Sequence, residues 1–449
     1  MAARTSRTLG LEPLEVREVP AVLSVYLAGQ DLMIQMDNGG GGGEVRQAGS
    51  TVTVTELART RSWSVPAASV RSINFYGGEG NDRFVNHTGI GSAAFGYGGN
   101  DVLVGGNGND ALYGGEGDDR LNGRGGADNL YGSNGDDVLI GLDAGWTDYM
   151  DPWGGRDVIW AETNDQLSPY VGTDDVVQRM SGFANGADRT LDGDRIPDPA
   201  PDIGQTYRTF AGNPLFAAAG PRVQDMDQGA LGDCWLVSGL GTVAKHDPMA
   251  VRGRIVDFDD GTYGVRLGDN FYRVDNDLPV AVGGTTPVNA GFGAENSMWV
   301  AVAEKAYAHF RVPGANSYPS LESGRAVEVY QAFGSANAVT SYFADYTSAT
   351  ALANEMYRRF AAGEMVSIGT GVAKAPGLDV GPTVDGHAYV VMSVNRSYVQ
   401  LSSGKYALQV TSITLRNPWG DDGTPGSATV TVTPEQLFNR TGRFYAGTL

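Results

Sequence analysis

The only cysteine of the chain lies in a setting that suits a nucleophile. Cys234 ends the segment Gln-Gly-Ala-Leu-Gly-Asp-Cys, a glycine-containing turn that leads into an apolar stretch of helical character. A thiol in the first turn of a helix faces unpaired N–H groups and the positive end of the helix dipole, which lower its pKa. A lone cysteine is also commonly a buried packing residue, so other polar residues must decide between the two interpretations.

Three further residues complete a set suited to acyl transfer. Gln228 precedes the cysteine by six residues, His387 lies in Gly-His-Ala-Tyr, and Asn417 lies in Arg-Asn-Pro-Trp-Gly. In such a set the Cys234 thiolate attacks a carbonyl carbon and forms a thioester, and His387 delivers the proton to the leaving group. Asn417 would accept a hydrogen bond from the imidazole, and Gln228 would donate one to the oxyanion together with the Cys234 backbone N–H. Trp419 would cover the bond between the histidine and the asparagine.

The other three histidines have no comparable partners. His87 lies in a glycine-rich region, His246 near the end of a predicted helix, and His309 beside Phe310 on another predicted helix. An isolated histidine has no nucleophile to orient, so we expect these three to be structural or solvent-exposed. His387 follows a glycine that leaves its ring accessible and precedes an apolar strand. It is therefore the predicted catalytic base.

Composition restricts the class of protein. A chain of 449 residues should hold two or three domains. Its net charge of −20 and isoelectric point near 4.5 disfavour nucleic acid and anionic membranes as partners, and they favour divalent cations. A single cysteine excludes an intramolecular disulfide. No apolar run reaches about 18 residues, so we expect no membrane span, and the N-terminus has no clear signal peptide.

A nine-residue period runs through the glycine-rich part of the chain. Each unit begins with glycine, carries aspartate at its sixth position and has an apolar residue at its eighth. The aspartates are Asp82, Asp101, Asp110, Asp119, Asp128 and Asp137, and the apolar residues are Phe84, Leu103, Leu112, Leu121, Leu130 and Leu139. Tight turns of this composition offer carboxylate and carbonyl oxygens, which are the ligands that Ca²⁺ prefers. The period therefore predicts a calcium-binding parallel β-roll with its leucines stacked inside.

This period resembles the RTX nonapeptide GGxGxDxUx. The resemblance agrees with the placement of Ca²⁺ at the six aspartates. A flexible linker rich in glycine and aspartate is the alternative, but a linker has no reason to repeat leucine every nine residues. The segment Trp153-Gly-Gly-Arg-Asp resembles a final, degenerate unit.

The remaining segments suggest an order of domains. Residues 1–20 contain a motif similar to a short leader of large bacterial surface and exported proteins, and residues 21–75 alternate apolar and polar side chains as strands that cap the roll do. Residues 76–160 hold the repeats, and the Asp-, Gly- and Pro-rich residues 161–204 are typical of a linker. From residue 205 the pattern predicts helices at 297–310 and 350–362, followed by strands that start near residues 365, 387 and 410.

Five motifs within residues 205–449 resemble the calpain family of papain-like cysteine proteases, in the order of that family. They are Gln228-Gly-Ala-Leu-Gly-Asp-Cys-Trp, Val274-Asp-x-x-Leu-Pro, Trp299-x-x-x-x-Glu-Lys-Ala-Tyr, Gly386-His-Ala-Tyr and Arg416-Asn-Pro-Trp-Gly. The separation of Cys234 and His387 is close to the roughly 130–150 residues of papain-like chains. The resemblance implies a two-lobed α+β domain with a Cys-His-Asn triad.

Calpain-like domains commonly carry calcium sites of their own, and here the match is partial. Gly220 and Asp225 lie where ligands of the first lobe are expected, but Ser297 occupies a position where the family has an acidic ligand. Asp421 follows the Asn-Pro-Trp-Gly motif in a short loop. We therefore expect the roll, rather than the protease core, to bind Ca²⁺.

Together these patterns predict a multidomain chain, with an all-β RTX roll followed by a papain-like α+β protease domain. The predicted function is a secreted or cell-surface cysteine endopeptidase with polypeptide substrates. A non-catalytic calcium-binding adhesion protein, and an acyl transferase or isopeptidase on the same scaffold, are the alternatives. The complete set of Cys234, His387, Asn417 and Gln228 favours the enzyme. No pattern in the chain predicts its oligomeric state.

Overall fold

The structure is a computed structural model that describes residues 24–57, 61–143, 145–186, 196–293, 295–420 and 428–449. The predicted leader at residues 1–20 and the residue Asp421 lie outside the described residues. The chain divides into two compact units. The first comprises Met1–Ile159 and Asn164–Asp175, and the second comprises Trp160–Thr163 and Val176–Leu449.

The first unit is built from short strands. They are β1 (Ser24–Ala28), β2 (Asp31–Gln35), β3 (Gly41–Ala48), β4 (Thr51–Glu56), β5 (Ser62–Pro66), β6 (Ser72–Gly78), β7 (Asp82–Asn86), β8 (Ser92–Gly98), β9 (Val102–Val104), β10 (Ala111–Glu116), β11 (Arg120–Asn122), β12 (Asn129–Asn134), β13 (Val138–Gly141), β14 (Tyr149–Gly154), β15 (Val158–Glu162, whose last residues belong to the second unit) and β16 (Gln166–Leu167).

Successive strands of the repeat alternate between two parallel sheets. One sheet has the order β6-β8-β10-β12-β14-β16, and the other contains β7-β9-β11-β13-β15. A strand therefore pairs with the strand two repeats away, as Leu112 with Leu130 and Leu121 with Leu139. The apolar residues at the eighth repeat position all lie between the sheets with 0% of their surface exposed, namely Phe84, Leu103, Leu112, Leu121, Leu130 and Leu139. The predicted parallel roll with an interior leucine stack is confirmed.

Strands from residues 24–66 extend both sheets at the N-terminal end of the repeats. Strand β2 pairs in parallel with β6, and β3 pairs in parallel with β7. Strands β1, β4 and β5 then add antiparallel pairings at the edges. Their alternating burial, such as that of Val52 and Val54 in β4, matches the alternation in the sequence.

The second unit combines helices and strands. The helices are α1 (Cys234–His246), α2 (Pro248–Arg252), α3 (Trp299–Phe310), α4 (Ala326–Ala332), α5 (Ala349–Ala361) and α6 (Pro434–Phe438). The strands are β17 (Val176–Met180), β18 (Gln205–Thr209), β19 (Ile255–Asp257), β20 (Thr262–Leu267), β21 (Asn270–Asp275), β22 (Asp277–Ala281), β23 (Val339–Tyr342), β24 (Met365–Ala373), β25 (His387–Gln400), β26 (Tyr406–Arg416), β27 (Thr429–Val432) and β28 (Arg440–Gly447).

Two hydrophobic cores divide this unit in chain order. The first core surrounds α1, α3 and α4 and includes Trp299 and Leu236. The second lies between α5 and a sheet of order β23-β28-β24-β25-β26-β27, and it includes Met356 and Ile368. The predicted helices at 297–310 and 350–362 correspond to α3 and α5. Among the described helices, none is long and apolar enough to cross a membrane.

The segment predicted as a linker, residues 161–204, contains more structure than a linker requires. Strand β17 lies in it, and within the second unit Gln178 donates to the Gly253 carbonyl at 2.8 Å while Asn185 donates to the Arg273 carbonyl at 2.6 Å. Gln178 is 2% exposed. Residues 176–186 are thus a folded part of the second unit, because their side chains satisfy backbone carbonyls there. Residues 187–195 lie outside the described residues.

Candidate active site and calcium-binding repeats

Helix α1 places Cys234 at its first residue. Asp233 precedes it as the N-cap, and the backbone N–H of Leu236 donates to the Asp233 carbonyl at 2.7 Å. Small and apolar residues fill the rest of α1, and ten of them are buried. This packing fixes the helix, while Cys234 keeps an intermediate exposure. The thiol is therefore held rigidly and can still be reached.

His387 enters from the opposite core at the start of β25. Its backbone pairs with Thr370 of β24, which anchors the residue in the sheet. Gly386 before it has a φ of 66°, a left-handed conformation that favours glycine, and an added Cβ would meet no atom within 4 Å. The glycine thus serves both the turn into the strand and the open space beside the imidazole.

Asn417 orients the imidazole. The Nε2 atom of His387 donates to Asn417 Oδ1 at 2.9 Å, because the amide oxygen can only accept. The ring of Trp419 lies 4.6 Å from that of His387, and the Trp419 backbone N–H also donates to Asn417 Oδ1 at 3.1 Å. Asn417 is 3% exposed. This bond leaves the other imidazole nitrogen, Nδ1, for exchange with a reacting group.

Cys234 and His387 line one cavity of about 780 Å³. The backbone N–H of Ala388, next to the histidine, donates toward the Cys234 sulfur. Arg311, Arg325 and Arg443 also line the cavity. The structure therefore brings the predicted nucleophile and base to the same open space, beside Asn417.

Burial changes the expected electrostatics of this pair. It raises the pKa of the Cys234 thiol, and the charge of Asp233 raises it further, while the N–H groups of Ala388, Trp235 and Cys234 itself act in the opposite direction. Burial also lowers the pKa of His387, against the bond to Asn417. The sequence predicted a lowered thiol pKa from the helix N-terminus, and this was wrong because the cost of desolvation exceeds the stabilisation by the helix. Burial therefore disfavours the charged form of both groups.

Gln228 lies in the same turn but is not turned toward the cavity. Its Nε2 atom donates to the Leu231 carbonyl at 2.7 Å and to Asp233 Oδ1 at 3.2 Å, which occupies both amide hydrogens. Within the described residues, its Oε1 atom is buried and has no hydrogen-bond partner. One of the two N–H bonds must open before Gln228 can donate to an oxyanion.

The remaining histidines are structural in their surroundings. Burial lowers the pKa of His87 and of His309 to about 4, and the pKa of His246 is also lowered. The ring of His309 stacks on Tyr272 at 6.4 Å. Burial lowers the pKa of His387 as well, so what distinguishes His387 is its bond to Asn417 and its position in the cavity with Cys234.

The expected calcium ligands of the protease core are also placed. Asp225 Oδ2 accepts from the Trp299 indole at 2.7 Å and from the Arg222 backbone N–H at 2.8 Å. Ser297 donates to the Leu215 carbonyl at 3.2 Å, so a hydroxyl stands where the family has an acid. A hydroxyl brings no charge to neutralise a divalent cation. Asp225 Oδ1, however, is buried without a hydrogen-bond partner among the described residues, as the repeat oxygens are. That the roll rather than the core binds Ca²⁺ stays a prediction.

In the first unit, the six predicted aspartates form two ladders rather than one cluster. In one ladder the backbone N–H of each aspartate donates to Oδ1 of the aspartate two repeats later, at 2.7–2.8 Å: Asp82 to Asp101, Asp101 to Asp119 and Asp119 to Asp137. In the other, Asp110 donates to Asp128 at 2.7 Å. All six side chains are at most 2% exposed. Among the described residues, no three or more acidic, histidine or cysteine side chains form a group that could hold a metal ion.

The ladders leave oxygen atoms suited to Ca²⁺. In the described part of the chain, the Oδ2 atoms of Asp101, Asp119, Asp128 and Asp137 are buried without a hydrogen-bond partner. Burial raises the pKa of these carboxyls to about 8, 7, 9 and 9, respectively. Burial also raises the pKa of Asp82 and of Asp110, each to about 6. Buried carboxylates of this kind require a cation or a proton, so the residues fit the metal.

The first glycine of each repeat has no Cβ that would overlap these carboxylate oxygens. A Cβ added to Gly114 would overlap Asp119 Oδ2 and would lie 2.8 Å from the Gly132 carbonyl oxygen. The carboxylate oxygen of one repeat and a carbonyl oxygen two repeats later therefore converge on the space that glycine leaves. A calcium site built from both kinds of oxygen explains why this position is glycine.

The ladder continues through one unit that the sequence analysis missed, at Asp148, and through the degenerate unit that it assigned, at Asp157. Asp128 donates to Asp148 Oδ1 and Asp137 donates to Asp157 Oδ1, both at 2.8 Å. Asp148 was missed because an insertion at residues 143–147 breaks the nine-residue phase. Its signal was the aspartate followed two residues later by buried Met150, the same spacing as in the regular units.

The fold and the site thus define a papain-type cysteine protease domain, preceded in sequence by a calcium-binding roll. Residues 205–428 match the calpain family of cysteine proteases, and residues 95–130 and 122–144 match the RTX calcium-binding nonapeptide repeat. The chain therefore carries a calpain-family protease domain and RTX repeats, and both predicted resemblances are confirmed. Calcium is the cofactor of such repeats.

The chain is similar to catalytic subunits of calpains. It is 29% identical to the calpain-1 catalytic subunit of Bos taurus over 223 residues, which are 46% of this chain and 29% of that protein. The identity is 28% over 246 residues with the calpain-1 catalytic subunit of Homo sapiens, covering 50% of this chain and 32% of that protein. It is 27% over 221 residues with the calpain-2 catalytic subunit of Gallus gallus. The chain thus spans less than a third of the length of these relatives.

Proposed function

We propose that the chain is an extracellular cysteine endopeptidase that hydrolyses polypeptides through Cys234, His387 and Asn417. One observation carries the proposal. Cys234 and His387 line the same cavity, and His387 is held there by its 2.9 Å bond to Asn417. A buried packing cysteine would have no need of an oriented imidazole across a cavity.

The proposed reaction passes one proton between two residues. The Cys234 proton moves to His387 Nδ1 as the sulfur bonds to the carbonyl carbon of the scissile peptide, so both charges form together. His387 then protonates the amine nitrogen, the C–N bond breaks, and the acyl group stays on Cys234 as a thioester. Water attacks this thioester and gives a proton to His387. The carboxylic product leaves, and the proton returns to the sulfur.

The oxyanion receives two donors in this mechanism. The Cys234 backbone N–H is one, at the start of α1. Gln228 is the other, after one of its bonds to Leu231 or Asp233 opens. The longer bond, to Asp233 at 3.2 Å, is the weaker geometry and the expected one to open. Removal of an oxyanion donor typically costs about 10²–10³-fold in kcat.

In the repeats, we propose that the six aspartates and the carbonyl oxygens of the first glycines hold Ca²⁺. The charge of the bound ion would compensate the buried carboxylates. This calcium binding fits an extracellular setting, where Ca²⁺ is abundant, and the RTX match supports it.

The experiment is cleavage of an unstructured protein by the purified full-length chain, with and without Ca²⁺, beside Cys234→Ala. We expect cleavage by the parent and none by the variant. Because the chain has one cysteine, incorporation of one carbamidomethyl group from iodoacetamide should abolish the activity in parallel. Equal cleavage by Cys234→Ala would remove the nucleophile from the proposal. Mass spectrometry of the products checks that water, and not an added amine, accepts the acyl group.

A further inference from the structure

Two buried carboxyl groups lie directly behind the nucleophile. Asp233 precedes Cys234, Glu304 lies in α3, and each is 1% exposed. Asp233 Oδ1 accepts from Gln228 Nε2 at 3.2 Å, and Glu304 Oε2 accepts from the Ala290 backbone N–H at 2.8 Å. Each carboxyl group therefore has one oxygen committed to an N–H donor.

The other oxygen of each carboxyl group is left without a donor. Asp233 and Glu304 interact side chain to side chain. Within the described residues, Asp233 Oδ2 and Glu304 Oε1 are buried and have no hydrogen-bond partner. Two ionised carboxylates cannot form this contact in a buried site, since like charges would face one another without water. A proton between them turns the repulsion into a hydrogen bond.

The pKa values agree with this geometry. Burial raises the pKa of Asp233 to about 7, and burial together with the charge of Asp233 raises that of Glu304 well above its usual value. The two groups titrate as a pair. Both shifts therefore favour a pair that retains a proton.

The Asp233 side chain does not cap helix α1. An aspartate at an N-cap usually accepts from a backbone N–H of the first helical turn, which stabilises the helix by about 1 kcal/mol. The Asp233 side chain makes no such bond to α1. It is turned toward Glu304 and Gln228, so its position serves these residues rather than the helix end.

We propose that Asp233 and Glu304 share one proton and act as a positioning pair, which holds the Gln228 side chain and sets the charge beside the Cys234 thiol. This inference rests on the proposed function, from which Gln228 and Cys234 take their roles. The proton lies between Asp233 Oδ2 and Glu304 Oε1. The outer oxygens are thereby left to accept from Gln228 and Ala290.

The charge on Asp233 matters because it opposes the thiolate. Full ionisation of Asp233 raises the pKa of Cys234, whereas a proton shared with Glu304 reduces this effect. The same proton makes Asp233 Oδ1 a weaker acceptor, so the Gln228 N–H is easier to release to an oxyanion. Glu304 acts on both residues only through Asp233.

Other titratable groups surround the pair. The charges of Glu304, Asp198 and Asp275 all act on the phenols of Tyr207 and Tyr318, and Lys305 pairs with the two aspartates. Burial raises the pKa of both tyrosines, so neither phenol ionises in the range of the experiment. Lys305 lies between Asp198 and Asp275, each bonded to its ammonium group. This triad is common to every variant below.

Amide substitutions test the shared proton, because the oxygen that accepts from an N–H donor is known in both Asp233 and Glu304. Asp233→Asn keeps an oxygen for Gln228 and offers an NH₂ group to Glu304. Glu304→Gln keeps an oxygen for Ala290 and offers an NH₂ group to Asp233. Each single variant thus replaces the proton by a fixed donor. The double variant places two NH₂ groups against each other and leaves both buried donors unsatisfied.

The first measurement is thermal unfolding of the full-length chain. We expect each single variant to melt close to the parent, and the double variant to melt about 5 °C or more below either one. The exposed substitution Glu435→Gln is the matched control for loss of one carboxylate. A double variant as stable as the two singles would overturn the shared proton.

The second measurement is the rate at which iodoacetamide alkylates the single cysteine, from about pH 5 to 9. Asp233→Asn removes the charge beside the thiol, and we expect alkylation at pH 7 to be about 3- to 10-fold faster than in the parent. Glu304→Gln leaves Asp233 fully charged, and we expect it to be slower by a similar factor. If both variants changed the alkylation rate equally and in the same direction, the proposal would be contradicted. A pair with only a structural role gives no reason for the two rates to change in opposite directions.

These readouts are independent of proteolysis. If the parent cleaves no polypeptide but the melting and alkylation patterns hold, the proposed function fails and the pair stands. If the parent is an active protease, but the effects of the two amide substitutions on melting temperature add and both change the alkylation rate in the same direction, the shared proton is rejected. The proposed function then stands.

Discussion

The indole of Trp419 lies 4.6 Å from the ring of His387, whose Nε2 atom donates to Asn417. His387 and Asn417 are 6% and 3% exposed, so the bond between them is withdrawn from solvent, whereas the adjacent indole is 42% exposed. A hydrogen bond shielded in this way does not compete with water. Trp419 thus contacts both members of the bond, with its ring beside His387 and its backbone N–H donating to Asn417 Oδ1.

Removal of this cover should weaken catalysis without removing it. We expect Trp419→Ala to lower kcat by up to about 10-fold, the value of one hydrogen bond opened to water, and Trp419→Phe to retain most activity. Steady-state kinetics with a peptide substrate measures this. The exposed Trp146, in the first unit, provides the control Trp146→Ala. Full activity in Trp419→Ala would show that the indole does not protect the bond.

Loss of the orienting amide should be more severe. In Asn417→Ala the imidazole can turn about its side-chain bonds, and we expect kcat to fall about 100-fold while KM changes little. Asn395→Ala on strand β25 is the control, because Asn395 is exposed and its amide donates to the hydroxyls of Ser393 and Ser412. A fall in binding with unchanged kcat would place Asn417 in substrate recognition instead.

Two glycines of one repeat should respond differently to the same substitution. A Cβ on Gly123 would overlap Asp128 Oδ2, whereas a Cβ on Gly125 has its nearest neighbour at 3.5 Å. We expect Gly123→Ala to weaken calcium binding about tenfold or more, and Gly125→Ala to leave it nearly unchanged. Isothermal titration with Ca²⁺ makes the comparison. Equal affinities would remove the first glycine from the calcium site.

Calcium binding should release protons. The carboxyls of Asp128 and Asp137 have pKa values raised to about 9 by burial, so they are protonated at pH 7 in the metal-free roll. Ca²⁺ requires the ionised form, and its apparent affinity should therefore rise as the pH increases toward about 9. Titrations in buffers of different ionisation enthalpy count the protons. No buffer dependence at pH 7 would contradict the raised pKa values.

The raised pKa values of Asp128 and Asp137 also determine whether the stability of the metal-free roll rises or falls with pH. A carboxyl whose pKa is raised in the folded state stabilises that state at low pH, and this contribution is lost as the pH rises through the folded pKa. The metal-free roll should therefore be more stable near pH 5 than near pH 9. Saturating Ca²⁺ should reverse this order, because it binds the ionised carboxylates. Melting curves at the two pH values, with Ca²⁺ or a chelator, check both signs.

Much of the fold could be predicted because its signals are local. The roll follows from aspartate and leucine at fixed repeat positions, and the interior position of Leu121 or Leu130 requires only the period. Helix α3 follows from apolar residues at helical spacing. Asp148 was missed because an insertion shifts the phase while the three-dimensional register stays intact. Pairing between strands, and not distance along the chain, decides which aspartates continue the ladder.

The properties of the site were harder to predict than its members. Cys234, His387 and Asn417 could be named from motifs, but the raised pKa of the thiol depends on desolvation by residues that are distant in sequence. The partner of Asp233 lies in another helix, although both residues belong to quoted motifs. Gln228 could be named as an oxyanion donor, but its two internal bonds depend on the path of the turn. Residue types therefore indicate which groups can react, whereas their burial determines the pKa values and hydrogen bonds of those groups.

The aspartate ladder has a polarity along the chain. Each backbone N–H finds its acceptor on a repeat that is synthesised later, as Asp101 does on Asp119 and Asp137 on Asp157. During synthesis, the aspartate N–H of one repeat therefore lacks its carboxylate acceptor until the repeat two positions later in the sequence has been made. Truncation from the C-terminal side removes carboxylate acceptors from the aspartate N–H groups that remain. Truncation from the N-terminal side leaves those N–H groups paired and instead removes backbone carbonyl acceptors, such as that of Asp101 for the N–H of Arg120. The side-chain ladder, unlike the backbone pairing, is therefore completed only at its C-terminal end.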